Sequence, residues 1–285
     1  MTPSRPEVLR YAAFTADPTG GNPAGLVLEA DGLDDAEMLA IAAEVGYSET
    51  AFLWARGDAG YDVRYFSPVA EVPFCGHATI AAGVALAERD GPGRVVLHTR
   101  SGPVPVLTAH DAEGRPVATL TSVAPSVHEV DDKDVAEALA ALDWASSDLD
   151  PRLPPRVAYA GAHHLILAAA TRERLAALAY DFDRLMTLMQ ARDWTTLQLV
   201  WREQANLFHS RNPFPVGGVV EDPATGAAAA ALGAYLRALD LVRVPARITI
   251  LQGEDLGRPG RLEVSVSAKR PEVDVTGTAV EIAVR

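Results

Sequence analysis

Short apolar runs, separated by polar segments rich in glycine and proline, dominate this chain, and most of these runs predict β-strands. In the first half, we predict strands over residues 11–16, 24–28, 49–54, 61–66, 95–98, 104–108 and 117–121. In the second half, we predict strands over residues 157–159, 164–169, 197–201, 204–209, 247–251, 261–267, 273–275 and 280–284. Strands therefore outnumber helices, which favours an α+β architecture over a regular alternation of strands and helices.

Two of the predicted helices differ from the others because they have no polar face. Apolar positions at spacings of three and four predict ordinary amphipathic helices over residues 34–45, 134–142, 172–179 and 182–192. By contrast, residues 80–87 and 227–232 contain only apolar residues and glycine, and alanine predominates. A helix that is apolar all round is buried all round. Each half is therefore predicted to wrap a curled sheet around one central helix.

An internal repeat places these two helices in equivalent positions. The pattern E-x-P-x-C/T-G-x-A starts at Glu71 and again at Glu221, an offset of 150 residues, and a helical run follows each copy. An arginine precedes each copy, at Arg64 and at Arg211. We therefore predict two similar domains related by a pseudo-twofold axis, over residues 1–122 and 123–285. The last strand of the chain is free to join the first domain.

Composition and charge exclude several classes of function. The 285 residues are 48% hydrophobic and 22% charged, and the net charge of −13 leaves no basic footprint for nucleic acid. No apolar run approaches the length of about 18 residues expected of a membrane span, and the first ten residues lack a signal-peptide core. The single cysteine excludes an internal disulfide and fits a reducing compartment. We expect a cytoplasmic protein without a membrane or nucleic-acid partner.

The starts of the two central helices are candidate anion sites, because the first N–H groups of a helix have no partner within it. Glu49 lies where a predicted helix gives way to an apolar strand, and a carboxylate there can act as general base and acid. The alternative is a solvated surface carboxylate, which is the commoner situation for glutamate. Two helix starts that face each other would hold a substrate carboxylate.

Four other residues are candidates for the same site. His77 falls in the first turn of a central helix, where the imidazolium is disfavoured, so it is either a neutral proton relay or a capping or core histidine. Asp222 is either a helix cap or a partner for His77. Cys75 is either a nucleophile activated by the helix start or a small buried thiol. Asn22 is either a turn residue or an amide presented to a substrate.

The sequence gives no case for a metal or a cofactor. His163 and His164 are adjacent, so on a strand they face opposite sides and cannot chelate one ion. No pair of residues has zinc-ligand spacing, and the glycine patterns of nucleotide-binding loops are absent. We therefore predict neither metal, nucleotide nor flavin. Ser48 lies in a segment that only weakly resembles the nucleophile elbow of serine hydrolases, and the segment connects a predicted helix to a strand instead of a strand to a helix.

Taken together, the motifs resemble those of the PhzF-like isomerases of phenazine biosynthesis. The motifs that carry the resemblance are Gly21-Asn22-Pro23-Ala24, Ser48-Glu49-Thr50, Arg64 to Thr79, Glu221 to Gly226 and Gln252 to Pro259. They occur in the order of that family and cover nearly the whole chain. The resemblance implies the diaminopimelate-epimerase fold, a homodimer, no cofactor and a small carboxylate-bearing substrate held in a cleft.

The resemblance also implies individual roles. Glu49 matches the proton-transferring glutamate, and His77 and Asp222 match the assisting residues. Gly76 and the Gly226-Ala227 segment match the amides that hold the substrate carboxylate.

Two departures qualify the resemblance, and Thr225 separates the chain from another branch of the fold. Ala227 stands where the family commonly has serine, so the N–H remains but the hydroxyl is lost, and Pro213 stands where phenylalanine is usual. Thr225 replaces the second cysteine of the related two-thiol racemases, which excludes their mechanism. We therefore predict a cofactor-independent isomerase in which Glu49 is the general acid and base. The alternatives are a non-catalytic binding protein of the same fold and a hydrolase that uses Cys75 or Ser48.

Overall fold

The computed structural model describes residues 6–57 and 60–283, and it divides the chain into two compact units. Unit 1 comprises Met1–Thr121 together with Thr276–Arg285, and unit 2 comprises Ser122–Val275. The C-terminal segment, which the sequence left free to join the first domain, belongs to unit 1. In this segment β17 (Val273–Glu281) pairs antiparallel with β1 (Leu9–Ala13).

Within its described residues, unit 1 contains two helices among its strands. After β1 its elements are β2 (Asn22–Val27), α1 (Asp35–Val45), β3 (Glu49–Ala55), β4 (Gly60–Phe66), β5 (Glu71–Val72), α2 (Gly76–Asp90), β6 (Arg94–Thr99), β7 (Gly102–His110) and β8 (Pro116–Thr121). Helix α1 begins at a capping box between Asp34 and Glu37 and ends at Gly46 in the left-handed conformation. Helix α2 packs against β1, β2, β3, β7 and β8 and is therefore the core of the unit.

Unit 2 repeats this plan with additional helices. Its elements are β9 (Ser126–His128), α3 (Asp132–Leu142), β10 (Arg156–Tyr159), β11 (His163–Ala168), α4 (Arg172–Ala176), α5 (Phe182–Arg192), β12 (Thr196–Gln204), β13 (Leu207–Phe214), β14 (Val219–Asp222), α6 (Gly226–Ala238), β15 (Ala246–Gln252) and β16 (Gly260–Val266), followed by the first residues of β17. Helix α6 packs against β9, β10, β11, β12 and β16. Helices α3 and α5 contribute to a separate apolar cluster that includes Trp144 and Trp194.

The two central helices are buried, as their apolar composition predicts. Every residue of α2 from Gly76 to Ala87 is buried, as are residues 228–236 of α6. Glycines at equivalent positions allow the sheets to approach these helices closely. A Cβ atom on Gly83 would lie 2.9 Å from the Ala118 Cβ of β8, and one on Gly233 would lie 2.7 Å from a methyl group of Val264 in β16. These two glycines are 150 residues apart and extend the internal repeat into the helix interiors.

The repeat also corresponds to a repeated supersecondary structure. In unit 1, β4 pairs antiparallel with β5 and parallel with β6, and α2 connects β5 to β6. In unit 2, β13 pairs in the same way with β14 and β15, and α6 connects those two strands. Each unit therefore contains one pair of parallel strands on either side of its central helix, although most of its strand pairs are antiparallel. The number of predicted strands alone did not reveal these parallel pairs.

The arginine and glutamate of each copy form a bidentate ion pair. Arg64 Nε and Nη2 donate to Glu71 at 2.8 and 2.6 Å, and Arg211 Nε and Nη2 donate to Glu221 at 3.0 and 2.5 Å. Each pair ties the long strand to the short strand that leads into the central helix. This contact gives a physical reason for the spacing of the repeat and assigns Glu71 and Glu221 a structural role.

Several predicted boundaries were wrong. The helix predicted over residues 172–179 ends at Ala176, and the strand predicted over 204–209 begins only at Leu207, because Ala205 and Asn206 form the turn of a hairpin. The strands predicted over 273–275 and 280–284 are one continuous strand that ends at Glu281, and residue 284 lies outside the described residues. The short strands β5, β9 and β14 were not predicted, because they have too few residues to show a periodic pattern of apolar positions.

Two further observations concern the predictions that no segment spans a membrane and that His163 and His164 cannot chelate one ion. No helix within residues 6–57 and 60–283 combines the length and the apolar character needed to cross a bilayer. His163 and His164 do face different environments, as their adjacency on β11 requires. His164 is fully buried and contacts the Thr196 hydroxyl at 2.8 Å, whereas His163 is partly exposed beside Asp193.

Candidate active site

In unit 1 the predicted catalytic residues come together at the start of α2. Glu49 is the first residue of β3, which lies parallel to β2 with Glu49 opposite Ala24. The αL turn at Gly46, which ends α1, directs the chain into this strand. His77 occupies the first turn of α2 and is buried. Glu49 is thus not the solvated surface carboxylate that the local sequence also allowed, since only 12% of its side chain is exposed.

Glu49, Cys75 and His77 form a compact triangle of donor atoms. The distance from Glu49 Oε2 to His77 Nε2 is 3.4 Å. Cys75 Sγ lies 3.6 Å from Glu49 Oε2 and 3.7 Å from His77 Nε2. The Cys75 thiol is buried, and it also lies 3.4 Å from His77 Nδ1. The carboxyl group and the imidazole are therefore within a few tenths of an ångström of hydrogen-bond distance.

Asn22 and Ser48 complete the surroundings of His77. Asn22 opens β2, is buried, and places its Nδ2 at 3.0 Å from His77 Nδ1. The Ser48 hydroxyl lies 3.4 Å from His77 Nε2. When the Asn22 amide donates to Nδ1, the neutral ring carries its proton on Nε2, the nitrogen that faces Glu49. Sequence reasoning considered Asn22 only as a turn residue or a substrate ligand and missed this contact with His77.

The start of α2 has the features of an anion site. Its N-cap residue, Cys75, makes no side-chain capping bond to the helix. Cys75 is instead tied by its carbonyl, which accepts from the Thr79 hydroxyl at 2.7 Å, and Thr79 in turn contacts the Tyr65 hydroxyl at 2.6 Å. Burial raises the pKa of Tyr65, so this hydroxyl stays protonated. The N–H groups of the first turn, beginning at Gly76, are thus held rigidly without a side-chain cap.

In unit 2 the predicted residues lie at the start of α6. Asp222 is buried at the end of β14 and accepts from the Thr225 hydroxyl at 2.5 Å. Thr225 is the N-cap of α6 and makes no side-chain capping bond to the helix. Gly226 and Ala227 form the first turn, where Gly226 is buried and Ala227 partly exposed. The second helix start therefore resembles the first in its uncapped first turn.

Gln252 organises this second helix start. The sequence analysis recognised it as part of a motif but predicted no role for it. Its Nε2 donates to the Asp222 carbonyl at 2.8 Å, and its Oε1 accepts from the Thr225 N–H at 3.1 Å. The following residue, Gly253, has φ +83°, and a Cβ atom there would lie 2.7 Å from the Pro223 carbonyl oxygen. The Gln-Gly pair therefore holds the segment that leads into α6, which explains why it belongs to the motif.

The three residues clustered in unit 1 are also of types that bind metal ions in other proteins. Glu49, Cys75 and His77 each offer one ligand atom, and these atoms lie within 4.8 Å of one another. The predicted absence of a metal rested on sequence spacing, which did not reveal this group. The reason is that Glu49 is 26 residues away from Cys75 in the chain and reaches it only through the fold.

The fold has close counterparts among solved structures. A phenazine biosynthesis protein of the PhzF family from Bacillus anthracis superposes with a TM-score of 0.87 at 26% identity, covering 97% of this chain and 98% of that one. The predicted α+β fold, with a curled sheet around a central helix in each half, is therefore confirmed.

Curated relatives are named as isomerases. The uncharacterized isomerase YddE of Escherichia coli is 34% identical over 97% of this chain and 96% of its own length. The trans-2,3-dihydro-3-hydroxyanthranilate isomerase of Pseudomonas aeruginosa is 32% identical over 88% of this chain and 86% of its own length. The fold and these relatives define an enzyme of the isomerase and epimerase class.

The profile of the phenazine biosynthesis-like proteins, PhzC-PhzF, matches residues 11–285. The chain therefore belongs to the PhzC-PhzF family, as its motifs indicated.

Proposed function

We propose that this enzyme is a cofactor-independent isomerase that moves a proton between two carbon atoms of a small carboxylate, with Glu49 as general base and general acid. The observation that carries the proposal is the contact between Glu49 and His77, 3.4 Å apart at an uncapped helix start. A carboxylate whose side chain is only 12% exposed, next to an imidazole, suits removal of a weakly acidic C–H proton.

The proposed reaction needs no external reactant. The Glu49 carboxylate takes a proton from the carbon next to an alkene or carboxyl group, and the electron pair of that C–H bond delocalises into the substrate. The protonated Glu49, whose proton exchanges with solvent, then returns a proton to another carbon, so that a double bond moves and no electrons are gained or lost. The N–H groups at the start of α2 stabilise the substrate carboxylate and the negative charge that develops.

His77 and Asn22 have a supporting part in this proposal. With its proton on Nε2, His77 donates towards the side of the ring where Glu49 lies, and it can relay a proton if the two carbon atoms are not both within reach of Glu49. Asn22 fixes the tautomer through Nδ1, at 3.0 Å. For unit 2 we propose that Asp222 assists and that the amides of Gly226 and Ala227 bind substrate, as the resemblance implies.

The chemistry of one relative suggests the substrate class. The Pseudomonas aeruginosa relative is named for a dihydro-hydroxyanthranilate, which is a cyclic unsaturated carboxylate. Cyclic and linear unsaturated carboxylates of that size are therefore the first compounds to test here. Ala227, which lacks the hydroxyl usual at this position, is a reason to expect a different member of this class.

The test is solvent deuterium exchange into substrate by the parent enzyme and by Glu49→Gln. The amide cannot accept a proton, so exchange and turnover should fall by about 10²–10⁴-fold or more, while substrate binding persists. Glu29→Gln is the matched control, because the Glu29 side chain is 85% exposed in the same unit. Exchange at the parent rate in Glu49→Gln would show that another group is the base.

A second mechanism is favoured by one specific observation, the 3.4 Å contact between Cys75 Sγ and His77 Nδ1. A thiol next to an imidazole is the arrangement of a cysteine nucleophile or of a thiol base. Cys75→Ala separates the two mechanisms. Proton transfer by Glu49 predicts that this variant retains turnover, whereas a thiol mechanism predicts a loss comparable to that of Glu49→Gln.

A further inference from the structure

We infer that Tyr180, on the loop between α4 and α5, is a positioning residue for Asp222. Its hydroxyl donates to the Val220 carbonyl at 2.5 Å, two residues before Asp222 in β14. The inference deepens the proposed function and rests on it, because Asp222 is proposed there to assist the reaction. The contact gives the additional helices of unit 2 a part in the site, besides their contribution to an apolar cluster.

Strand β14 has few regular contacts with its neighbour β13. It is four residues long, and its register shifts between Pro213 and Phe214. Pro213 lies opposite Glu221, and the next pair skips Val220, which is therefore the extra residue of a bulge. Pro213, which stands where phenylalanine is usual, has no backbone N–H and adds no donor to the ladder. Contacts other than strand pairing must therefore help to fix β14 where it leads to the start of α6.

Two side chains from other elements hold two carbonyl groups of β14. Gln252 Nε2 donates to the Asp222 carbonyl at 2.8 Å, and the Tyr180 hydroxyl donates to the Val220 carbonyl. Gln252 fixes the strand where it leads into α6, whereas Tyr180 acts at the bulge, where the pairing of the strands is irregular. Loss of the Tyr180 bond should therefore release the bulge while the bond from Gln252 remains.

The Tyr180 ring is itself held in place. It stacks on Phe182, with ring centroids 6.2 Å apart and an angle of 18° between the two rings. The N–H of Asp181, the next residue, donates to the Ala141 carbonyl at 2.9 Å, and the Asp181 side chain caps α5. Burial, aided by the Glu221 carboxylate, raises the pKa of Tyr180, so its hydroxyl remains a donor at neutral pH. A donor that is fixed in this way can impose a position on the strand that it contacts.

The internal repeat offers a comparison with unit 1. The position equivalent to Val220 is Ala70, 150 residues earlier. The Ala70 carbonyl accepts from the Ser67 N–H at 2.8 Å and from the Ser67 hydroxyl at 3.0 Å. A local turn therefore fixes the carbonyl that precedes the first copy of the motif, whereas the equivalent carbonyl in unit 2 is fixed by a side chain 40 residues away in the chain. The donor differs between the two copies, but the carbonyl is held in both.

The first test is amide hydrogen exchange, followed by NMR, in the full-length parent protein and in Tyr180→Phe without substrate. Loss of one hydrogen bond should speed the exchange of the amides of residues 219–222 by roughly two- to tenfold, while the interior of α6 keeps the parent rate. Tyr61→Phe is the matched control, because the same change removes a hydroxyl in unit 1 that accepts from Arg89 at 2.7 Å. Parent exchange rates at residues 219–222 in Tyr180→Phe would overturn the inference.

The second test is a double-mutant cycle with Asp222→Asn, assayed on the best substrate among cyclic and linear unsaturated carboxylates. Tyr180→Phe should lower kcat by roughly two- to tenfold and leave KM within about twofold, because Asp222 is proposed to act in the chemical step whereas the helix amides bind the carboxylate. In the Asp222→Asn background, the same substitution should have no further effect on kcat. Additive losses would show that Tyr180 does not act through Asp222, which refutes the positioning role.

The two tests also separate this inference from the proposed function. If Asp222→Asn turns over substrate at the parent rate, Asp222 does not assist the reaction, and that part of the proposed function fails. The exchange rates of residues 219–222 then decide by themselves whether Tyr180 positions the strand. If Asp222→Asn loses turnover while Tyr180→Phe keeps the parent kcat, the proposed role of Asp222 stands and the inference about Tyr180 fails.

Discussion

The ion pairs of the internal repeat allow a comparison between two equivalent positions in one chain. Glu221→Gln removes the negative charge next to Arg211, whereas Glu71→Gln removes it next to Arg64. The exposed fractions of the side chains differ, at 9% and 1% for Arg211 and Glu221 against 23% and 12% for Arg64 and Glu71. We therefore expect the unit 2 substitution to be the more destabilising.

The magnitude follows from this burial. Removing one partner of a buried ion pair leaves an uncompensated charge and costs about 3–5 kcal/mol. Arg211 has a further bond to the Ala176 carbonyl at 2.7 Å, which keeps it in place without relieving its charge. Arg64 is partly solvated and also contacts Asp35 at 2.6 Å, so loss of Glu71 should cost about 1 kcal/mol.

The assay is urea denaturation followed by tryptophan fluorescence. Three of the four tryptophans belong to unit 2, namely Trp144, Trp194 and Trp201, so fluorescence reports mainly on that unit. With a slope of about 2 kcal/mol per molar urea, a loss of 3 kcal/mol lowers the midpoint by about 1.5 M. Because Trp54 alone reports on unit 1, hydrogen exchange of α2 amides provides the readout for Glu71→Gln.

Replacing both members of the buried pair is the control. Arg211→Met combined with Glu221→Leu removes both charges, so it should recover much of the stability lost in Glu221→Gln. The reasoning is refuted if Glu71→Gln costs as much as Glu221→Gln, or if the double variant is less stable than the single one. Either outcome would show that the packing of the strands, and not the uncompensated charge, sets the cost.

Three further predictions concern packing, pH and specificity. Gly83→Ala should destabilise unit 1 by about 1–3 kcal/mol in urea denaturation, because the new methyl group would lie 2.9 Å from Ala118 and Val106. This steric cost outweighs the higher helix propensity of alanine, and a stabilised variant would contradict the prediction. Burial, aided by the neighbouring histidine, lowers the pKa of His164 to about 3, so the unfolded state binds more protons than the folded state below pH 6.5. The free energy of unfolding should therefore fall by about 2 kcal/mol between pH 6.5 and 5. His164→Asn should lose this pH dependence in urea denaturation, and an unchanged dependence would refute the assignment. Ala227→Ser should shift kcat/KM among unsaturated carboxylates by roughly two- to tenfold, the equivalent of one hydrogen bond, towards smaller or more polar substrates; an unchanged ranking would mean that this side chain does not face the substrate.

The sequence by itself determined the elements that depend on local pattern. The absence of a polar face on residues 80–87 was enough to predict a buried helix, because burial on all sides is the one environment that suits such a surface. The bounds of α5 were predicted correctly as Phe182–Arg192, since Asp181 caps one end and apolar residues recur at helical spacing. The 150-residue repeat likewise revealed two similar halves, because both copies retain the same residues at the same spacing.

Only the tertiary structure decided the contacts between residues that are distant in the chain. The bond between Asn22 and His77 spans 55 positions, and that between Thr225 and Gln252 spans 27. The sequence left Asn22 open between a turn residue and a substrate ligand, because no periodicity encodes which loops a fold brings together. The same limit hid the triangle around Cys75, since a sequence motif records spacing along the chain whereas ligand geometry depends on distances of a few ångströms in space.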